Sequence, residues 1–80
     1  MIKKMIRFSN SDQIIECCQS CQAFKSDIDI HSSKGFRTCI DAKSLLGMMS
    51  LNPGTSLHLL IDGEDEKAVA EKFLAYEVRA

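Results

Sequence analysis

The chain has 80 residues, of which 45% are hydrophobic and 26% are charged, as in soluble globular domains and unlike disordered or fibrous chains. Ten basic and eleven acidic residues give a net charge of −1, which disfavours nucleic-acid binding and attraction to anionic membranes. The apolar runs are short compared with the roughly 20 residues that span a bilayer, and Met1–Phe8 lack the apolar core of a signal peptide. We therefore expect one cytoplasmic domain, residues 1–80.

The first two elements are a strand and a helix. Ile2, Ile6 and Phe8 alternate imperfectly with basic residues, which predicts an opening strand. Several candidate helix caps follow in Ser9–Asp12. The pattern then predicts a helix from Asp12 to about Phe24, because apolar residues recur there at three- and four-residue spacing. These are Ile14, Ile15, Cys18, Cys21 and Phe24.

A hairpin is predicted next. Ile28 and Ile30 alternate with aspartates in a half-exposed strand, His31–Gly35 form the loop, and Phe36–Ile40 return as the partner strand.

The second half of the chain predicts two helices and a strand. Ser44–Leu51 fit two helical turns that end at Asn52–Gly54, because Pro53 disfavours helix at the residue before it. The alternating side-chain pattern of Leu57–Ile61 predicts a strand. A last helix is predicted for about Glu64–Tyr76, with acidic residues in its first turn that complement the helix dipole. The order βαββαβα predicts an α+β open-faced sandwich, with a four-stranded antiparallel sheet and three helices on one face.

Three segments make the chain closely resemble the HPr family, the histidine phosphocarriers of the bacterial sugar phosphotransferase system. They are DAKSLLGMMSL (41–51), NPGTSLHLLIDGEDEKAVAEKF (52–73) and FKSDIDI (24–30). The resemblance implies the HPr fold, protein partners, no cofactor and no enzyme activity.

The phosphocarrier loop is where the chain departs from that family. Carriers present a Gly-Leu-His-Ala/Thr-Arg-Pro loop between the first strand and helix, whereas RFSNSDQII (7–15) has no histidine, glycine or proline. Asn10, Ser11 and Asp12 can cap a helix, but none replaces imidazole as a phosphoryl acceptor. We therefore predict that ordinary phosphocarrier activity is absent. His31, in the predicted loop, and His58, on the sheet face opposite Leu57 and Leu59, are interpreted as surface or partly exposed histidines.

The resemblance gives Ser44 two possible roles. In the family a serine at this position begins the second helix, and in one branch an ATP-dependent kinase phosphorylates it. The residue can serve as a helix cap alone or as a cap and regulatory phosphosite. The large apolar residues that follow cannot all face inward on a two-turn helix, so some should dock partners. We predict Leu45 and Met48 as the docking pair, with Met49 and Lys43 completing the partner-binding set.

Four cysteines leave three interpretations open. Cys17, Cys18 and Cys21 lie on the first predicted helix at spacings that allow core packing, a soft metal ligand pair or a redox pair. Burial is favoured, because a tetrahedral metal site would need Cys39 or a second subunit. We therefore predict no metal site.

The sequence thus favours a regulatory protein-binding module, monomeric or weakly dimeric, with no membrane or nucleic-acid partner. The expected partners are an HPr kinase, a transcription regulator or phosphotransferase enzymes. The alternatives are a carrier that uses His31 or His58, and a structural protein that exchanges its first strand between subunits.

Overall fold

Four strands and three helices follow one another in the predicted βαββαβα order. The structure is a computed structural model that describes residues 1–32 and 39–78. Its strands are β1 (Ile2–Ile6), β2 (Asp27–Ser32), β3 (Cys39–Asp41) and β4 (Leu57–Asp62). Its helices are α1 (Ser11–Cys21), α2 (Leu45–Met48) and α3 (Glu66–Lys72), and a 3₁₀ turn follows at Leu74–Tyr76.

The strands form one antiparallel sheet in the order β1-β4-β2-β3, with three helices over one face. On β4, Leu57, Leu59 and Ile61 are buried, whereas His58 is exposed, as the two-residue strand period requires. Buried residues from all four strands and all three helices form a single core. The predicted α+β fold is confirmed.

Each helix is shorter than its sequence pattern predicted. After α1 and α2 the chain continues with 3₁₀-type hydrogen bonds, in which an amide donates to the carbonyl three residues earlier. Phe24 N–H donates to Cys21 O, and Leu51 N–H donates to Met48 O. Helix α2 therefore has one turn rather than two. No helix among the described residues has the length and apolar character needed to cross a membrane.

The predicted hairpin loop does not begin at His31, because β2 continues through Ser32. His31 and Ser32 pair with β4 as part of β2 and do not lie in the loop. The predicted loop residues 33–35 and the start of the returning strand, residues 36–38, lie outside the described residues.

The Asp65 carboxylate ties the start of β2 to the start of α3. It accepts hydrogen bonds from the backbone amides of Lys25 and Ser26, both at 2.9 Å, and from the Ser26 hydroxyl. The Ser26 hydroxyl, together with the amides, holds the pKa of Asp65 below its ordinary value. Ser26 is buried at this junction, and Gly63 packs against it with a φ of +155°. A Cβ at Gly63 would lie 2.6 Å from Ser26 Cα, so the junction requires glycine.

Candidate partner-binding surface

Ser44 caps the short helix α2. Its backbone is extended (φ −90°, ψ 109°), and its Oγ accepts a hydrogen bond from Gly47 N–H at 3.3 Å. Gly47 lies close to β3, where an added Cβ would stand 3.0 Å from Ile40 Cγ2. The cap and this close approach set the rotation of α2 on the sheet, and the Ser44 side chain stays exposed to solvent.

This rotation decides which apolar residues face outward. Leu45, Leu46 and Met49 are 51%, 89% and 52% exposed; we call these three residues the α2 patch. Met48 is fully buried, so the prediction that it is an exposed docking residue is wrong. Met48 and Leu51 supply the core contacts of this segment. Leu46, the most exposed of the set, was not singled out from the sequence, because residue spacing alone cannot fix the rotation of a one-turn helix.

Lys43 links the end of α1 to the start of α2. Its ammonium donates to the carbonyl of Phe24 at 2.7 Å, and its own carbonyl accepts a 2.6 Å hydrogen bond from the Gln22 side chain. Its amide donates to Asp41 Oδ1 at 2.9 Å. Lys43 therefore lies beside the α2 patch while its charged group is already engaged within the chain.

The residues predicted as a degenerate phosphocarrier loop form the N-terminus of α1. Asn10 is the cap, and its Oδ1 accepts from Gln13 N–H at 2.9 Å, while Gln13 Oε1 accepts from Ser9 N–H at 2.7 Å. Ser11 begins the helix and Asp12 supplies an acidic side chain in its first turn. This is reciprocal capping with side-chain oxygens and no imidazole.

Both histidines lie away from this helix end. His31 on β2 and His58 on β4 are register partners, and they face the side of the sheet opposite the helices. His58 is exposed as predicted, and His31 is half-buried in a strand rather than in a loop. Neither histidine can therefore take the place of the family's histidine near the α1 N-terminus.

The cysteines of α1 belong to the core. Cys17, Cys18 and Cys21 are at most 4% exposed, which confirms the predicted burial of Cys18 and Cys21. The Cys17 thiol donates to the Cys21 sulfur, and this bond together with burial raises the pKa of Cys17. Burial raises the pKa of Cys18 as well. Within the part of the chain that the structure describes, no three His, Cys, Asp or Glu side chains are grouped to hold a metal ion.

Comparisons with known proteins agree on one family. A sequence profile described as the phosphotransferase-system HPr component phosphorylation site matches residues 13–76. No curated protein sequence matches the chain. The fold is that of the HPr proteins, and the chain belongs to the HPr family.

Three solved structures illustrate the likeness. HPr from Bacillus anthracis is 23% identical, with a TM-score of 0.77 over 96% of both chains. HPr from Thermoanaerobacter tengcongensis is 22% identical, with a TM-score of 0.78 over 94% of this chain and 89% of that one. The Bacillus subtilis catabolite repression protein Crh is 30% identical, with a TM-score of 0.66 over 89% of this chain and 80% of its own, and is described as a dimer with a swapping domain.

Proposed function

We propose that the chain is a regulatory protein-binding module of the HPr family that does not carry phosphate itself. It acts in the cytoplasm by docking on proteins, without a catalytic step or a cofactor of its own. The observation that carries this proposal is the α2 patch beside a capped, exposed Ser44. The absence of imidazole at the α1 N-terminus supports the second half of the proposal, since a reversible carrier needs a nucleophilic acceptor there.

The exposed large apolar residues are concentrated rather than scattered. Six described residues of this type are more than 40% exposed, and three of them form the α2 patch within five consecutive positions. Clustered exposed apolar side chains in a small domain mark an interaction surface, whereas isolated ones are ordinary. Met49 adds a flexible side chain that can pack against partners of different shape.

Phosphorylation of Ser44 would give this surface a switch. A phosphate adds about −1.5 to −2 charges directly beside the α2 patch. The nearest lysine in the sequence, Lys43, already bonds the Phe24 carbonyl, so the added charge would remain largely available to a partner's cations. We propose that an ATP-dependent kinase modifies Ser44 and that a transcription regulator or a phosphotransferase enzyme reads the change.

The double variant L46S/M49S is expected to bind the HPr kinase and the transcription regulator proposed as its partners at least tenfold more weakly. Burying one leucine side chain is worth about 1.5–3 kcal/mol, and about 1.4 kcal/mol corresponds to a factor of ten in affinity. Isothermal titration calorimetry with the purified proteins measures the change.

The matched control is Leu74→Ser, which removes a leucine that is 57% exposed on the 3₁₀ turn. It should leave both affinities unchanged. Equal weakening by L74S and by the double variant would show a general effect of lost apolar surface and would contradict docking through α2.

A second candidate function is phosphoryl transfer through His31 or His58. The observation that favours it is the direct pairing of these two residues across β2 and β4 on the open face of the sheet. Histidine phosphate is acid-labile and serine phosphate is acid-stable, so the two candidates predict different phosphoproteins.

We propose a monomer or weak homodimer as the working state. Residues 76–78 cover the outer edge of β1, where Arg7 N–H donates to Tyr76 O at 2.8 Å and Val78 N–H donates to Met5 O at 2.9 Å. Exchange of β1 between subunits would have to break and re-form these bonds, and the covered edge is less open to pairing with another chain.

A further inference from the structure

A depression of about 290 Å³ lies on the open face of the sheet, away from α2. Side chains of Lys3, His31, His58 and Leu60 line it, together with their strand neighbours. The register brings them together: His31 is opposite His58 across β2 and β4, and Lys3 is opposite Leu60 across β1 and β4. Opposite side chains in an antiparallel sheet have Cβ atoms about 5 Å apart, so all four can contact one small molecule.

The chemistry of this depression suits an anion. A lysine ammonium offers three N–H donors and each imidazole at least one, so three separate side chains can donate into the same space. Among the residues that the structure describes, none that lines the depression is acidic. Within residues 1–32 and 39–78, Lys3 has no ion-pair partner, unlike Lys4, whose Nζ lies 3.0 Å from Glu77 Oε1.

The acidic residues of the same face lie outside the lining. Asp29 is the register partner of Leu60, and Asp41 follows Asp29 in the same row. The Asp29 carboxylate accepts a hydrogen bond from the Cys39 thiol. Asp27 and Asp62 pair at the end of the sheet farther from the two histidines. Within the Leu60 row, Lys3 on β1 and the two aspartates on β2 and β3 therefore lie on opposite sides of Leu60.

We propose that this depression binds a small organic phosphate. The phosphoryl oxygens are held by Lys3, His31 and His58, and the non-polar part of the ligand packs on Leu60, which is half-buried. Three donating side chains match three terminal oxygens better than the two oxygens of a carboxylate. A volume of about 290 Å³ is at the lower end for ligand pockets, so the ligand carries no more than a single ring or a few carbon atoms beyond its phosphate.

Nuclear magnetic resonance titration with phenyl phosphate tests the assignment, with inorganic phosphate and benzoate as comparison ligands. Amide shifts are expected to saturate around the depression on β1, β2 and β4, with phenyl phosphate binding more tightly than either comparison ligand. Lys3→Met and His58→Gln should each weaken phenyl phosphate at least tenfold. Because Lys3 and His58 are exposed, both variants should keep the native amide spectrum elsewhere.

The control is Lys67→Met, which removes an exposed lysine of α3 and should leave the affinity unchanged. The proposal is overturned if the shifts do not saturate, if K67M weakens binding as much as K3M, or if benzoate binds as tightly as phenyl phosphate. Binding of Zn²⁺ by His31 and His58 with no response to phenyl phosphate would identify a metal chelate instead and would also overturn it.

Discussion

Replacing Met48 with alanine is expected to lower the free energy of unfolding by about 2–5 kcal/mol. Met48 is fully buried and forms part of the common core beneath α2, so the truncation removes apolar contacts and leaves a cavity. Domains are stable by only about 0.05–0.15 kcal/mol per residue, so this loss is a large part of the total for a chain of 80 residues. Urea unfolding followed by far-ultraviolet circular dichroism measures the loss as a lower midpoint with an unchanged slope.

The control for this variant is Leu46→Ala, which truncates an exposed apolar side chain two residues earlier in the same helix. Leu46 is 89% exposed, and substitutions at such positions usually change stability by no more than about 0.5 kcal/mol. The pair therefore separates the core role of Met48 from the surface role of Leu46. Similar losses for the two variants would show that α2 is rotated differently on the sheet.

Gly63→Ala is expected to lower the free energy of unfolding by about 2 kcal/mol or more. An alanine there adopts a φ that L-residues rarely occupy, and its Cβ would also meet the backbone of Ser26. Such backbone strain costs about 1–3 kcal/mol, and forced overpacking costs a similar amount. Moving Ser26 away would in addition disturb its hydrogen bonds to Asp65. Urea unfolding again provides the measurement.

Gly54→Ala is the matched control for that substitution. Gly54 also has a positive φ, of +87°, but an added Cβ there would meet nothing within 4 Å. Its replacement therefore adds backbone strain without a clash and should cost about 1 kcal/mol. Equal losses at the two glycines would contradict the close packing of Gly63 on Ser26.

The fold was predictable because its strands have a clear local pattern of alternating apolar residues. Leu57, Leu59 and Ile61 alternate with His58 and Leu60, and the face that these three residues share is buried in the structure. The hairpin was harder to predict, because His31 and Ser32 carry the polar character of a loop but pair with β4. Pairing with a strand far along the chain overrode the local signal, and the neighbouring histidines on the open face could not be foreseen from the sequence.

The candidate site was predicted in part. The resemblance to the HPr family implied that Ser44 caps α2, and the hydrogen bond from Gly47 N–H to its Oγ agrees. The choice of Met48 as a docking residue was wrong, because the packing of Gly47 on Ile40 sets the rotation of the helix. The bonds between Asp65 and Ser26 join positions distant in the sequence, and neither residue carries a local signal of the contact.

The intact mass of the protein after incubation with ATP and a cytosolic extract of its source organism, beside the Ser44→Ala variant, tests the regulatory role most directly. We expect a mass gain of one phosphate that survives acid and is missing from the S44A variant. A phosphate that is lost in acid and retained by S44A would place the group on a histidine and contradict the proposal that the chain is a regulator rather than a carrier.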